Sequence, residues 1–300
     1  MTYLQAIVLG IMQGLTEFIP ISSTAHLVFA ARLTQLYEGE AMRAEMTTAT
    51  IAVIQLGTLL AVFAYFAGDI WAISSAFVRD HLALLRGRRG GGGAGGLRGA
   101  FAGLSEEARL GWLIVIGSIP VGAVGLLLKK QIEGPWTKNL WLIATMMVVV
   151  ALLLLAAEKV GARRKEMKDL GVGDALAVGF AQVLSLMPGA SRSGSTIMGG
   201  LFAGETRATA ARFSFLLSIP AIAASGLLEL REAVDKLPAG SAAPLVVATV
   251  VSGLVGYASI WFLLRFLRTH STGVFIVYRL VVGLAIMLLL ARGLLQPFDS

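Results

Sequence analysis

The chain has no cysteine, and only three histidines and eight prolines among its 300 residues. Without cysteine there is no disulfide framework, no thiolate metal site and no thiol nucleophile. Charge is also scarce. Asp, Glu, Lys and Arg together make up 14%, against roughly a quarter of an ordinary soluble chain. A 31.6 kDa globule could not cover its surface with so few charges, so a soluble enzyme and a disordered chain are both excluded. No Lys or Arg precedes Arg32. A secretory signal peptide wants a positive n-region, so the start reads as part of the mature protein.

Apolar sequence is what the chain has in quantity. Hydrophobic residues make up 56% and the mean hydropathy is +0.79. The runs are long and unbroken, unlike the short alternating segments of a membrane β-barrel. The fold class is therefore an all-α polytopic membrane protein, a single integral membrane domain over residues 1–300. The net charge of +7 fits Lys and Arg gathered in loops beside anionic lipid. The bilayer is the expected partner and nucleic acid is not.

Spanning a hydrocarbon core of about 30 Å takes ~20 apolar residues. Six stretches qualify: 46–67, 110–128, 139–157, 213–228 (starting earlier, through 208–211), 245–264 and 274–291, the last broken only by Arg279. Two further apolar stretches differ from these. Residues 1–31 carry one formal acidic charge, Glu17, and residues 175–204 one formal basic charge, Arg192, if Arg32 and Glu205 are left outside the bounds. Each has a proline and a hydroxyl cluster near its middle: Pro20 with Ser22, Ser23 and Thr24, and Pro188 with Ser191, Ser193, Ser195 and Thr196. Pro20 to Ser23 and Pro188 to Ser191 share a spacing. Such residues unwind a membrane helix, and the freed backbone groups must face protein or a wet cavity.

The expectation is two inverted repeats, about 1–160 and 170–295, each a re-entrant broken helix pair plus three transmembrane helices, with the broken tips meeting near the midplane. A tally of Lys and Arg does not separate this layout from eight plain spans. Both place the basic stretch Arg79–Arg98 and the cluster Lys159–Lys168 on the cytoplasmic side. The glycine-dense segment at about 87–103 reads as a flexible loop, since no GK[ST] follows to make it a phosphate cradle.

A charge at the bilayer centre costs roughly 2.5–3.5 kcal/mol on insertion scales. Glu17 and Arg192 are therefore expensive. They form either a plain salt bridge between the halves or a polar site at their junction. In the second segment, Gly189 lets a backbone approach an anion. Ser191, Ser193 and Thr196 offer hydroxyls, Arg192 can grip two oxygens, and half-helix N–H groups add to these. Phosphate or diphosphate fits that set. The first segment adds Ser23 as a nucleophile, His26 and Glu17 as acid–base groups, and Gln13 one turn before Glu17. His81 and His270 are expected in solvated basic loops, Arg279 is expected to snorkel to an interface, and Gln182 to make an interhelical hydrogen bond. Trp112, Trp136, Trp141 and Trp261 suit an interfacial belt.

Gln13-Gly14-Leu15-Thr16-Glu17-Phe18-Ile19-Pro20-Ile21-Ser22-Ser23-Thr24-Ala25-His26 resembles the first signature of the bacterial undecaprenyl-diphosphate phosphatase family, also called the bacitracin-resistance phosphatases. Pro188-Gly189-Ala190-Ser191-Arg192-Ser193 with Thr196 resembles its second. The resemblance covers essentially the whole chain. It implies hydrolysis of undecaprenyl diphosphate to the monophosphate and inorganic phosphate, which recycles the carrier lipid for peptidoglycan and other envelope polymers and confers bacitracin resistance. It also implies the bacterial plasma (inner) membrane, a site open to the external face, and a divalent cation, Mg2+ or Ca2+. Carried over by position, Glu17, Ser23, His26 and Arg192 are catalytic. Gly189, Ser191, Arg192, Ser193 and Thr196 bind phosphate, and Gln13 and Glu17 hold the metal. Gln13 stands at the first acidic position of that signature, which removes one charged ligand. Attack by Ser23 and direct attack by water both remain open, and a homodimer is admitted. The competing class is a lipid-phosphate flippase or phosphate-coupled transporter, which would use Arg192 in the same way but would not need Ser23 and His26.

Overall fold

A segment immersed in hydrocarbon must satisfy its backbone internally, which leaves the helix as the unit of construction. The computed structural model describes residues 1–34, 36–37, 43–86, 103–132, 139–233 and 240–297, and no strand occurs among them. The helices are α1 (Tyr3–Phe18), α2 (Ser23–Leu33), α3 (Arg43–Tyr65), α4 (Ala67–Leu85), α5 (Glu106–Leu127), α6 (Leu140–Val160), α7 (Val172–Val183), α8 (Arg192–Phe202), α9 (Arg207–Ala233), α10 (Ala242–Phe266) and α11 (Gly273–Ala291). Five of them, α3, α5, α6, α10 and α11, are long and apolar enough to cross a membrane. Residues 87–102 of the glycine-dense segment, and Trp136, lie outside the described residues.

The two odd stretches are helix pairs that fold back on themselves. With 16 and 11 residues, α1 and α2 reach only about 24 and 16 Å at 1.5 Å per residue. The Gln5 amide at the start of α1 donates to the Thr34 carbonyl just after α2, at 2.7 Å. The second pair closes likewise. A bridge joins Lys165, ahead of α7, to Glu205, just after α8. The α8 helix is the most enclosed element. Ser193 through Leu201 are all buried, with α6, α7 and α9 against it.

Small residues set how closely these elements meet. A Cβ on Gly57 of α3 would stand 2.1 Å from the Thr249 carbonyl oxygen of α10, and one on Gly10 of α1 would stand 2.6 Å from the Ala248 oxygen. On the other side, a Cβ on Gly179 of α7 would stand 2.2 Å from the Gly117 oxygen of α5. Thus α1 lies along α10 as α7 lies along α5. Backbone-to-backbone approach of this kind is what small residues permit between membrane helices.

One expectation needs correction. His81 is expected in a solvated basic loop, yet it lies on α4. This helix docks across the first turns of α5: His81 accepts from the Trp112 indole at 3.0 Å and donates from Nδ1 to the Phe77 carbonyl at 2.7 Å. His81 is therefore a half-buried bridge and not a solvated loop residue. Its partners lie on another helix, which linear inspection does not reveal. His270 is exposed.

At one end of the bundle Glu158 binds three helices together. Its carboxylate accepts from Arg207 at 2.7–3.0 Å, and from the Thr272 amide and hydroxyl at 2.8 Å each. Nearby, Glu205 is wholly buried and both its carboxylate oxygens lack a partner among the described residues. Burial pushes its carboxyl up to about 8; Asp174 adds to the rise and Lys165 opposes it.

The folded chain thus holds a proton on Glu205 that the unfolded chain releases above its ordinary value of 4.5, so stability falls as pH rises from there to about 8. Glu205→Gln should flatten that part of a melting-temperature-against-pH curve in detergent. An unchanged curve would exclude the neutral acid. Gly57→Val should cost about 1–3 kcal/mol through overpacking, read as a lowered melting temperature.

Candidate active site

Both helix pairs break in the same local way. Ser22 has φ +80° and Ser191 φ +68°, and each immediately precedes the second helix of its pair. Non-glycine residues in that region cost about 1–3 kcal/mol and persist only where their surroundings hold them. This register departs by one residue from the spacing read off the sequence, because the backbone sets Ser22, not Ser23, opposite Ser191. Counting from these two serines, Gln13 and Gln182 both stand nine residues earlier, and His26 and Ser195 both stand four residues later. Gly189 has φ +91°, and a Cβ there would stand 2.2 Å from the Ile143 oxygen of α6. Glycine is required at that position on both counts.

Arg279 holds the two breaks together. Sequence reading expected it to snorkel, but it is wholly buried. Its guanidinium donates to the carbonyls of Gly189 and Ala190 at 3.0 Å each and of Pro20 at 3.4 Å. It also donates to Met146 and Met147 on α6 at 3.3 and 3.2 Å. The reason lies in the breaks themselves. Unwound turns leave carbonyls without helical partners, and a rigid fork of five N–H groups can satisfy several at once.

Across the breaks, Arg192 at the start of α8 forms a salt bridge with Glu17 near the end of α1. Glu17 also accepts from the Gln13 amide at 3.2 Å. The Gln13 side-chain oxygen is buried without a partner among the described residues. Ser191 caps α8 by accepting from the Gly194 amide at 3.2 Å, and its hydroxyl lies 3.3 Å from that of Ser193. Thr196 turns inward, donating to the Arg192 carbonyl at 2.8 Å and meeting the Ser214 hydroxyl of α9. Ser23 opens α2 and is half-buried, while Ser22 is wholly buried and its hydroxyl has no partner among the described residues. Gln182 departs from expectation: its amide is buried and makes no hydrogen bond among the described residues.

His26 lies one turn into α2. Its Nδ1 is 2.6 Å from the Ser22 carbonyl oxygen, and its Nε2 is 2.7 Å from the Tyr278 hydroxyl of α11. Sequence reading missed Tyr278. Its only linear signal is adjacency to the intramembrane Arg279. Among the described residues no hydrogen bond joins His26 to Ser23.

Gln13 and Glu17 of the first pair are joined to Arg192 of the second, and Arg279 joins Pro20 to Gly189 and Ala190, whereas among the described residues no hydrogen bond or ion pair joins Ser23 or His26 to Arg192. Two helix N-termini, those of α2 and α8, end at the breaks and favour negative charge there. Fold and site together define a multi-pass membrane protein with a charged, polar centre between two folded-back helix pairs. The chain matches the model of the bacitracin resistance protein BacA family over residues 6–285 and belongs to that family. It is 49% identical over 292 residues to an undecaprenyl-diphosphatase of Syntrophobacter fumaroxidans, covering 97% of this chain and 99% of the relative. It is 44% identical to one from Chlorobium limicola, over 98% of this chain and 99% of that one, and 43% identical to one from Nocardia farcinica, over 99% and 98%.

Arg279→Lys should lower stability by about 2–4 kcal/mol, because an ammonium has three donors and no planar fork. The check is the melting temperature in detergent beside an Arg192→Lys control, whose guanidinium is half-buried and should cost less to replace.

Proposed function

We propose that this protein hydrolyses undecaprenyl diphosphate to undecaprenyl phosphate and inorganic phosphate, recycling the carrier lipid for envelope polymer synthesis. The observation that carries the reading is the Glu17–Arg192 pair, which joins the end of α1 to the N-terminus of α8, with Ser23 and His26 on α2, the helix that follows Glu17. Membership of the BacA family and the names of the relatives support the same substrate. Neither supports the flippase or phosphate-coupled carrier.

In the resting site Arg192 and Glu17 neutralise each other. An entering diphosphate competes for the guanidinium, which binds two of its oxygens, while Ser191, Ser193 and the first N–H groups of α8 take others. Arg279 adds a second positive charge next to the breaks without being free to move, since its donors are committed to carbonyls. Ser23 is the accessible hydroxyl of the first break and attacks the terminal phosphorus. Its proton passes to His26 as the bridging P–O bond to the monophosphate breaks. Water then hydrolyses the phosphoserine. Thr196, tied to Ser214 and the Arg192 carbonyl, holds the first turn of α8 in place.

A divalent cation, Mg2+ or Ca2+, belongs to this proposal. Among the described residues no three His, Asp, Glu or Cys side chains converge. Glu17 and the orphaned Gln13 oxygen are nevertheless hard oxygen donors of the kind such ions take, with the diphosphate able to supply the rest. When bound there, the ion would offset charge building on the phosphate oxygens.

The layout proposed is two inverted repeats in the bacterial plasma membrane, with the pocket open to the external face. The paired serines and glutamines support the repeat. The second break runs beside Ile143, three residues from the Leu140 end of α6, whereas the basic cluster begins at its other end with Lys159. That supports the orientation. All the residues named come from one chain, so the reading does not depend on a homodimer.

Purified protein in detergent should release phosphate from undecaprenyl diphosphate, and a chelator should abolish the release. Arg192→Ala should lower the rate by roughly 10²–10³-fold, as loss of a transition-state donor does. Ser23→Ala should abolish turnover, and acid-quenched wild type should carry a phosphoserine. A folded wild type that binds the lipid without releasing phosphate would overturn the reading.

A further inference from the structure

The α11 helix sends two successive side chains to the first break. Arg279 takes the Pro20 carbonyl, and Tyr278 takes His26. The Tyr278 hydroxyl lies 2.7 Å from Nε2, and the two rings stack with centroids 5.6 Å apart and planes 14° from parallel. The other nitrogen, Nδ1, lies 2.6 Å from the Ser22 carbonyl oxygen. A carbonyl can only accept, so Nδ1 carries a proton. In the neutral ring the lone pair is then on Nε2, and the phenol O–H donates to it.

Resting on the reading of the site as a phosphatase, we propose that Tyr278 is the positioning residue of the His26 base. The Ser22 carbonyl fixes the tautomer, and Tyr278 holds the ring plane by stacking and keeps the Nε2 lone pair aimed through its hydrogen bond. A base whose lone pair is turned away cannot take the proton, however close it stands. Burial alone does not explain Tyr278, whose side chain is 40% exposed. Packing of the ring alone would not require the hydroxyl to lie 2.7 Å from Nε2. Exposure also leaves the phenol room to yield its place on Nε2 to the attacking hydroxyl. The proton then leaves the attacking oxygen for Nε2, the O–P bond forms, and the bridging P–O bond breaks with its electrons on the departing monophosphate.

The test compares wild type with Tyr278→Phe, which keeps the ring and loses the hydroxyl. Steady-state hydrolysis of undecaprenyl diphosphate should show kcat lowered about tenfold, part of the roughly 10²–10⁴-fold that a general base contributes, with KM within twofold. The second measurement is the 15N NMR spectrum of histidine-labelled protein, with His26 assigned by comparison with His26→Asn. Wild type should show Nδ1 protonated and Nε2 bare but hydrogen-bonded, and the Phe variant should keep that tautomer with its Nε2 resonance moved downfield by loss of the phenol hydrogen bond. An unchanged kcat in the folded variant, a change in KM alone, or a wild-type His26 protonated on Nε2 would each overturn the proposal. The tautomer needs no turnover. If wild type released no phosphate, the phosphatase reading would fall and the spectrum would still decide the hydrogen bond. If the variant failed to fold, the wild-type spectrum would decide by itself.

Discussion

Every feature of this molecule depends on how two unwound turns inside a helical bundle satisfy their carbonyls. The Arg279 guanidinium supplies the answer by reaching Pro20 in one break, Gly189 and Ala190 in the other, and Met146 and Met147 on α6. Without that fork each break would leave acceptors unpaired in an apolar interior, at about 1–3 kcal/mol for each group. With it, two chemically different segments 168 residues apart in sequence (Pro20 and Pro188) meet in one place. The positive-φ serines and the close approach of Gly189 to Ile143 are the local consequences of that meeting.

The site is a balance of charge as well as of hydrogen bonds. Arg192 and Glu17 are half-buried and buried, and each would be costly alone. Paired, they keep one mobile cation and one carboxylate ready beside two helix N-termini. Arg279 contributes charge that cannot leave. A site with one committed and one exchangeable guanidinium is suited to take up a multiply charged anion and release it again. At the opposite end Glu158 does for helix ends what Arg279 does for the breaks, joining α6, α9 and α11 through Arg207 and Thr272.

Much of this was readable in the linear chain. Apolar runs announce spans because hydrocarbon leaves a backbone no other partner than itself. Glu17 and Arg192 announced themselves by being charges where charge is expensive, and the hydroxyl clusters beside Pro20 and Pro188 marked the breaks. Tyr278 and the true role of Arg279 were not readable. An arginine near a helix end is equally consistent with snorkelling, and only the position of carbonyls from three other segments decides otherwise. The α4 helix escaped for a similar reason. Its sequence, with Asp69, Arg79, Asp80 and His81, is too polar for a span, and its helicity depends on docking against α5. Gln182 looked like an interhelical hydrogen-bonder, yet its buried amide stands alone among the described residues in the place that Gln13 fills in the first pair.

Composition by itself determined that this chain is a helical membrane protein, because so few charges cannot clothe a soluble surface. The motifs by themselves singled out the residues expected to carry its chemistry, because polar groups at that depth are costly. Only the tertiary structure decided which of those groups touch. It paired Arg192 with Glu17, gave His26 to Tyr278 rather than to Ser23, and turned Arg279 inward. The physical reason is common to all three. Hydrogen-bond partners within a helix recur at fixed spacing and can be counted along the chain, whereas the partners of an unwound turn come from wherever the fold brings a donor within about 3 Å.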